Sequence, residues 1–228
     1  MIETLFPDGA VALRATASMA DEPLLPAEAA SVGRMSTERR REFALGRACA
    51  HAALARLGAT RGPVLRGPDR APVWPADVVG SLSHCEGFCG VVVARRGVIL
   101  GLGLDVECDT PLSRRAAERI CSPAEREHLT ALAGRELEAW AKLVFSAKEA
   151  FYKCYYPLAR TRLGFRDADV RIDLERRRFE VRLVRADAPA AAGARRFEGR
   201  FALAPPHLLT GLTLLREPHD ENATARRY

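Results

Sequence analysis

Two segments about forty residues apart carry the residue types best suited to chemistry: Gly103-Leu104-Asp105-Val106-Glu107 and Phe145-Ser146-Ala147-Lys148-Glu149-Ala150-Phe151-Tyr152-Lys153. The first predicts a buried strand, and because side chains alternate faces along a strand, Asp105 and Glu107 point the same way. The second predicts a helix on which Glu149 and Lys153, four apart, share a face. If that strand and helix meet, three carboxylates converge beside an ammonium, a setting for a hard divalent cation and a phosphate-bearing substrate. Two plainer accounts compete. Asp105 and Glu107 could end a strand in water, and Glu149 and Lys153 could be an exposed pair worth roughly 0.2–0.5 kcal/mol.

Lysine usage singles out the same helix. The chain has only three lysines (Lys142, Lys148 and Lys153) among its 35 basic residues, and all three lie on it. Where arginine takes nearly every basic position, a retained lysine marks a place where a compact point charge is wanted. Chance clustering on one exposed helix is the alternative. The opposite face, Trp140, Val144, Ala147, Phe151 and Cys154, is strongly apolar, so the helix must dock, which leaves its polar face to rim a cleft.

Three further features bear on anion binding. A helix from Ser36 or Thr37 to about Leu57, stopped by Gly58, carries an apolar stripe of Phe43, Ala50, Leu54 and Leu57. At 100° per residue Arg47 falls only about 40° from Phe43, inside that stripe. A buried arginine needs an anion, whereas one at the edge of the stripe would snorkel to water. Ser81 and Ser83 alternate with His84 at the end of a strand and can donate to a phosphate, although a lone histidine is more often structural. No glycine-rich phosphate loop or dinucleotide fingerprint is present.

Composition sets the class. A chain of 228 residues with 48% hydrophobic and 28% charged residues is that of a soluble globular protein with a real core. No apolar run approaches a membrane span, and the N-terminus lacks the pattern of a secretory signal, which points to the cytoplasm. The net charge of +6 favours anionic partners. Nucleic acid is disfavoured, because the arginines are dispersed and aromatics are only 7%. The six cysteines show no paired spacing, and His84, Cys85 and Cys89 lack the second pair that a zinc site needs.

The pattern of elements predicts an α+β fold. Residues 1–35 are rich in alanine and proline, with a weak strand near 10–16, and residues 60–77 form a loop holding Arg66, Arg70 and Trp74. Strands are expected at 78–83, 87–95 and 98–107, and helices at 113–121, 123–133 and 135–155, the last stopped by Pro157. Strands follow at 168–175, 178–184, 197–204 and 208–215, with a flexible linker at 186–193 and a frayed tail from Glu217. Two lobes of similar size are expected, an N-terminal one over 1–96 and a C-terminal one, holding the acidic residues, over 97–228.

Gly80-Ser81-Leu82-Ser83-His84, the Asp105–Glu107 strand and the Glu149–Lys153 helix come in the order and spacing of one family. Over residues 36–157, with Pro72-Val73-Trp74-Pro75 and Arg47 also fitting, the chain resembles 4′-phosphopantetheinyl transferases of the Sfp/EntD class. The resemblance implies a pseudo-twofold pair of α/β lobes in a monomer, with coenzyme A between them as co-substrate. It implies transfer of the phosphopantetheine arm to a serine of an acyl or peptidyl carrier protein, with release of 3′,5′-ADP. It further implies Mg²⁺ on Asp105, Glu107 and Glu149, with Lys153 at the leaving group and Glu149 as base. Arg39, Arg47, Arg66, Ser83 and His84 would grip the phosphates. The carrier would be an acidic helical domain, serving siderophore, nonribosomal peptide or polyketide biosynthesis. A non-catalytic module keeping the fold would have lost a carboxylate or Lys153, and this chain has lost none.

Overall fold

In the computed structural model, which describes residues 1–33, 35–132 and 134–216, the chain builds two large sheets, each with a long helix against it, and one two-stranded hairpin. The first sheet orders three antiparallel strands: β1 (Ala10–Arg14), β5 (Phe88–Arg95) and β4 (Val78–Cys85). Helix α2 (Thr37–Arg56) packs on it, and its N-terminus is capped by Ser36, whose hydroxyl accepts from the Arg39 amide. Cys49, Ala50, Ala53 and Leu54 of α2 meet Val78, Val91 and Val93, all buried. The small alanines let helix and sheet approach closely.

The second sheet orders five antiparallel strands: β6 (Ile99–Cys108), β10 (His207–Leu215), β9 (Arg196–Ala204), β8 (Arg178–Leu183) and β7 (Ala168–Asp173). Helix α5 (Leu137–Ala159) lies across it, burying Trp140, Val144, Ala147, Phe151 and Cys154, the face expected to be apolar. Two shorter helices, α3 (Arg114–Ile120) and α4 (Pro123–Thr130), bridge β6 to α5. The mixed α+β class and the two sheet-rich lobes agree with expectation. Among the described residues no helix is long and apolar enough to cross a membrane.

The lobes join edge to edge at β4 and β6. Instead of a backbone ladder, Ser81 Oγ accepts from the Leu104 amide (3.0 Å) and Ser83 Oγ from the Val106 amide (3.2 Å). Behind this seam Ile2, Leu5 and Phe6 of the N-terminus pack with Val92, Leu102, Leu104, Val106 and Leu209, so both lobes share one core.

Four expectations need correction. Pro157 does not stop α5, which runs to Ala159 and ends at Arg160, left-handed at φ 52°, with its amide bonded to Tyr156 O. In the last turn the proline removes only one donor, while Cys154 and Tyr155 stay buried in the core. Residues 186–193 are not a free linker: Ala188 and Ala191 are buried, and Tyr155 Oη donates to Pro189 O (2.7 Å). The 60–77 loop contains a short hairpin, β2 (Leu65–Arg66) with β3 (Pro72–Val73). Within residues 1–35 a short helix, α1 (Pro26–Ser31), forms as well. The expected tail from Glu217 lies outside the described residues.

Candidate active site

Strand β6 is built to receive a helix. Leu102, Leu104 and Val106 face the shared core, so Gly101, Gly103, Asp105 and Glu107 face α5. A Cβ at Gly103 would overlap the Ala150 carbonyl, and one at Gly101 would sit 2.9 Å from Cys154 Sγ. With no side chains there, α5 rests on bare strand, and Glu149 and Lys153, next to Ala150 and Cys154, are delivered beside the acids that follow the glycines.

Lys153 is the hub. Its Nζ donates to Asp105 Oδ1 (2.7 Å), Ser83 Oγ (3.0 Å) and Leu104 O (3.0 Å), which engages all three protons. Ser83 in turn donates to Asp105 Oδ1 (3.1 Å). Asp105 is only 3% exposed, yet its Oδ2 has no hydrogen-bond partner. Glu107 Oε2 accepts from Lys142 Nζ (3.2 Å). Glu149 is half-buried and pairs with no donor among the described residues. Burial, then the charge of Asp105, pushes its pKa above the ordinary carboxylate value, with Lys153 opposing. Glu107 is raised for the same two reasons, with Lys142 opposing.

A cavity of about 310 Å³ opens between Asp105, Glu107 and Lys153 on one side and the N-terminal lobe on the other; Glu149, on the same helix as Lys153, is not among the residues that line it. Helix α2 sends Arg39 and Arg47 into its wall, the β2–β3 hairpin sends Arg66 and Arg70, and β4 supplies Ser83 and His84. Arg47 is 5% exposed, its guanidinium sits 4.1 Å above the Phe43 ring, and its Nε has no partner. Burial lowers its pKa below the usual arginine value. A cation in that state, forming no ion pair with a described residue, is poised for an anionic ligand. The Arg47 expected from the stripe is thus buried, as an anion-binding role requires. His84 Nε2 lies 4.0 Å from Glu42 Oε2, and Glu42 is held by Arg39 at 3.0 Å. Burial, countered by Glu42, lowers the His84 pKa below the ordinary histidine value. A second cavity of about 690 Å³ adjoins at Arg70, Pro72, Leu82 and Lys153, but Trp74, Leu100 and Tyr156 make it more apolar. In the smaller one Asp105, Glu107 and Lys153 face the arginines.

Comparison with known proteins decides the family. Residues 27–94 match the 4′-phosphopantetheinyl transferase N-terminal domain, and residues 101–204 match the 4′-phosphopantetheinyl transferase superfamily. The chain is 41% identical over 220 residues to 4′-phosphopantetheinyl transferase Svp of Streptomyces mobaraensis, covering 94% of this chain and 89% of that one. It belongs to the 4′-phosphopantetheinyl transferases. It is also 39% identical to 4′-phosphopantetheinyl transferase PptT of Mycobacterium tuberculosis over 66% of each chain. Similarity to enterobactin synthase component D of Escherichia coli is 37%, over 51% of this chain and 54% of that one. The family makes the chain an enzyme that uses coenzyme A.

In this transferase the metal expected on Asp105, Glu107 and Glu149 meets a mixed setting. Among the described residues no three of His, Cys, Asp and Glu are gathered into a ready cage. The donor set nevertheless fits a hard cation: carboxylate oxygens only, one of them buried and unpartnered on Asp105, and two acids, Glu107 and Glu149, whose pKa values are raised first by burial and then by the charge of Asp105. Lys142 and Lys153 hold part of the neutralising role. Sequence reasoning names Lys142 and Arg70 without a site role and does not name Glu42 at all. The rarity of lysine had marked Lys142 without giving it a partner. Arg70 owes its place to a left-handed turn (φ 71°), and nothing in the residue type announces that conformation.

Proposed function

We propose that this transferase moves the 4′-phosphopantetheine of coenzyme A to a serine of an acyl or peptidyl carrier protein and releases 3′,5′-ADP, with Mg²⁺ bound by Asp105, Glu107 and Glu149. The observation that carries the reading is the single cavity with arginines on one wall and Asp105, Glu107 and Lys153 on the other. Arg39, Arg47, Arg66 and His84 bind the phosphates of coenzyme A, and Ser83 orients the pyrophosphate beside Lys153. Mg²⁺ would neutralise the charge that builds on the pyrophosphate.

Glu149 takes the proton from the carrier serine hydroxyl, for which its raised pKa suits it. The serine oxygen then bonds to the phosphorus bearing pantetheine, and the bond to the 5′-phosphate of the nucleotide breaks. Lys153, anchored by Asp105 and Ser83, faces the charge that develops on the departing phosphate. Asp105 keeps that ammonium in place throughout.

The chain acts as a monomer in the cytoplasm, with lobes spanning 1–96 and 97–228. Its basic charge draws an acidic helical carrier, and its pathway is siderophore, nonribosomal peptide or polyketide synthesis. Chromatography of a reaction with coenzyme A, Mg²⁺ and an apo carrier tests the chemistry. One 3′,5′-ADP should appear per carrier modified. Consumption of coenzyme A without 3′,5′-ADP would refute it.

A further inference from the structure

Glu28 lies outside the cavity, and none of the chemistry above uses it. It is fully buried on α1 at 0% exposure, an unusual state for a carboxylate. Both oxygens are engaged, by the N-cap of its own helix and by two distant segments. Oε1 accepts from the Val64 amide (2.7 Å) and lies 2.9 Å from His51 Nε2, and Oε2 accepts from the Leu25 amide (3.1 Å).

Those partners lead to the cavity wall. Val64 is the residue before β2, so its amide fixes where the hairpin carrying Arg66 and Arg70 leaves the core. His51 stands one helical turn after Arg47 on α2, on the same side of the helix. The β2–β3 hairpin is only two residue pairs long, too short to hold its own position in water, so an external tether has to set it. Glu28 is also the carboxylate that most strongly counters the loss of charge stability at buried Arg47.

We infer that Glu28 is a positioning residue for coenzyme A: it joins α2 to the β2–β3 hairpin and so sets the distance between Arg47 and the pair Arg66 and Arg70. This rests on the proposed placement of the coenzyme A phosphates in that cavity. Because it acts on binding and leaves Glu149 and Lys153 untouched, its removal raises KM for coenzyme A and spares kcat. A residue needed only for folding would lower active enzyme, and hence apparent kcat, with KM unchanged.

The test compares wild type, Glu28→Ala and Glu28→Gln by calorimetric titration with coenzyme A, steady-state kinetics, and hydrogen exchange of residues 64–73. Glu28→Gln keeps an acceptor for the Val64 amide but removes the charge. For Glu28→Ala the expectation is a coenzyme A Kd and KM raised about tenfold, kcat within about twofold, and faster exchange at Val64 and the hairpin. Glu28→Gln, whose NH2 cannot accept from the second amide, should raise Kd about threefold, with hairpin exchange between that of wild type and Glu28→Ala. If Glu28→Ala does not fold, Glu28→Gln decides alone, and an unchanged Kd in that variant overturns the inference. A folded Glu28→Ala with wild-type Kd overturns it as well. Wild type that binds no coenzyme A would instead remove the reading of the cavity, and the inference with it.

Discussion

Lys153 Nζ lies 2.7 Å from Asp105 Oδ1, and the contact joins the long helix of the second lobe to the strand that borders the first. Ser83, from the other side of the seam, bonds to both partners. Charge balance, lobe contact and the proposed phosphate site thus meet at one ammonium. Replacing Lys153 by Met should abolish transfer and also destabilise the protein, because a 3%-exposed aspartate loses its partner. A loss of about 1–3 kcal/mol in urea unfolding is expected. Unchanged stability would mean that water satisfies Asp105 readily.

Glu149 differs in having no partner to lose among the described residues. Glu149→Gln should leave the unfolding free energy within about 0.5 kcal/mol of wild type while lowering transfer by three orders of magnitude or so, as expected when a metal charge and the base go together. Parallel denaturation and single-turnover assays check this. Near-normal turnover would remove Glu149 from both roles.

Gly103→Ala places a methyl group on the Ala150 carbonyl, so α5 must lift from β6. The expected cost is at least 2–3 kcal/mol or so of stability together with loss of activity, since Glu149 and Lys153 move with the helix. A variant with wild-type stability and turnover would show that the helix is not seated on the glycine.

Lys148 and Glu125 form an ion pair with side chains 0% and 1% exposed, and Lys148 also donates to Ile120 O (3.0 Å). Lys148→Met strands a buried carboxylate and should cost about 3–5 kcal/mol. Adding Glu125→Gln should recover part of that loss, which a double-mutant cycle in urea would show as a coupling energy. Strictly additive effects would contradict a direct pair.

The legible parts of this molecule are those governed by periodicity within one segment. Alternation placed Asp105 and Glu107 on one face, helical spacing put Glu149 beside Lys153, and the same spacing set Arg47 in an apolar stripe where it is indeed buried. What stayed hidden depends on contacts between distant segments. Nothing near Glu28 foretells Val64 or His51, and nothing near Lys142 foretells Glu107. Arg70 takes a left-handed conformation that glycine would adopt more easily, so its type gave no warning. Residues 186–193 resembled a linker because small alanines look alike whether solvated or, as at Ala188 and Ala191, pressed into a core.

The central claim is phosphopantetheinyl transfer that depends on the carboxylates of β6 and α5. Its most direct test is intact-mass spectrometry of an apo carrier protein incubated with the enzyme, coenzyme A and Mg²⁺, beside a control with EDTA. The account predicts a gain of roughly 340 Da, one phosphopantetheine, that EDTA prevents and Glu149→Gln does not produce. No gain on several apo carriers, from enzyme that binds coenzyme A, would contradict it.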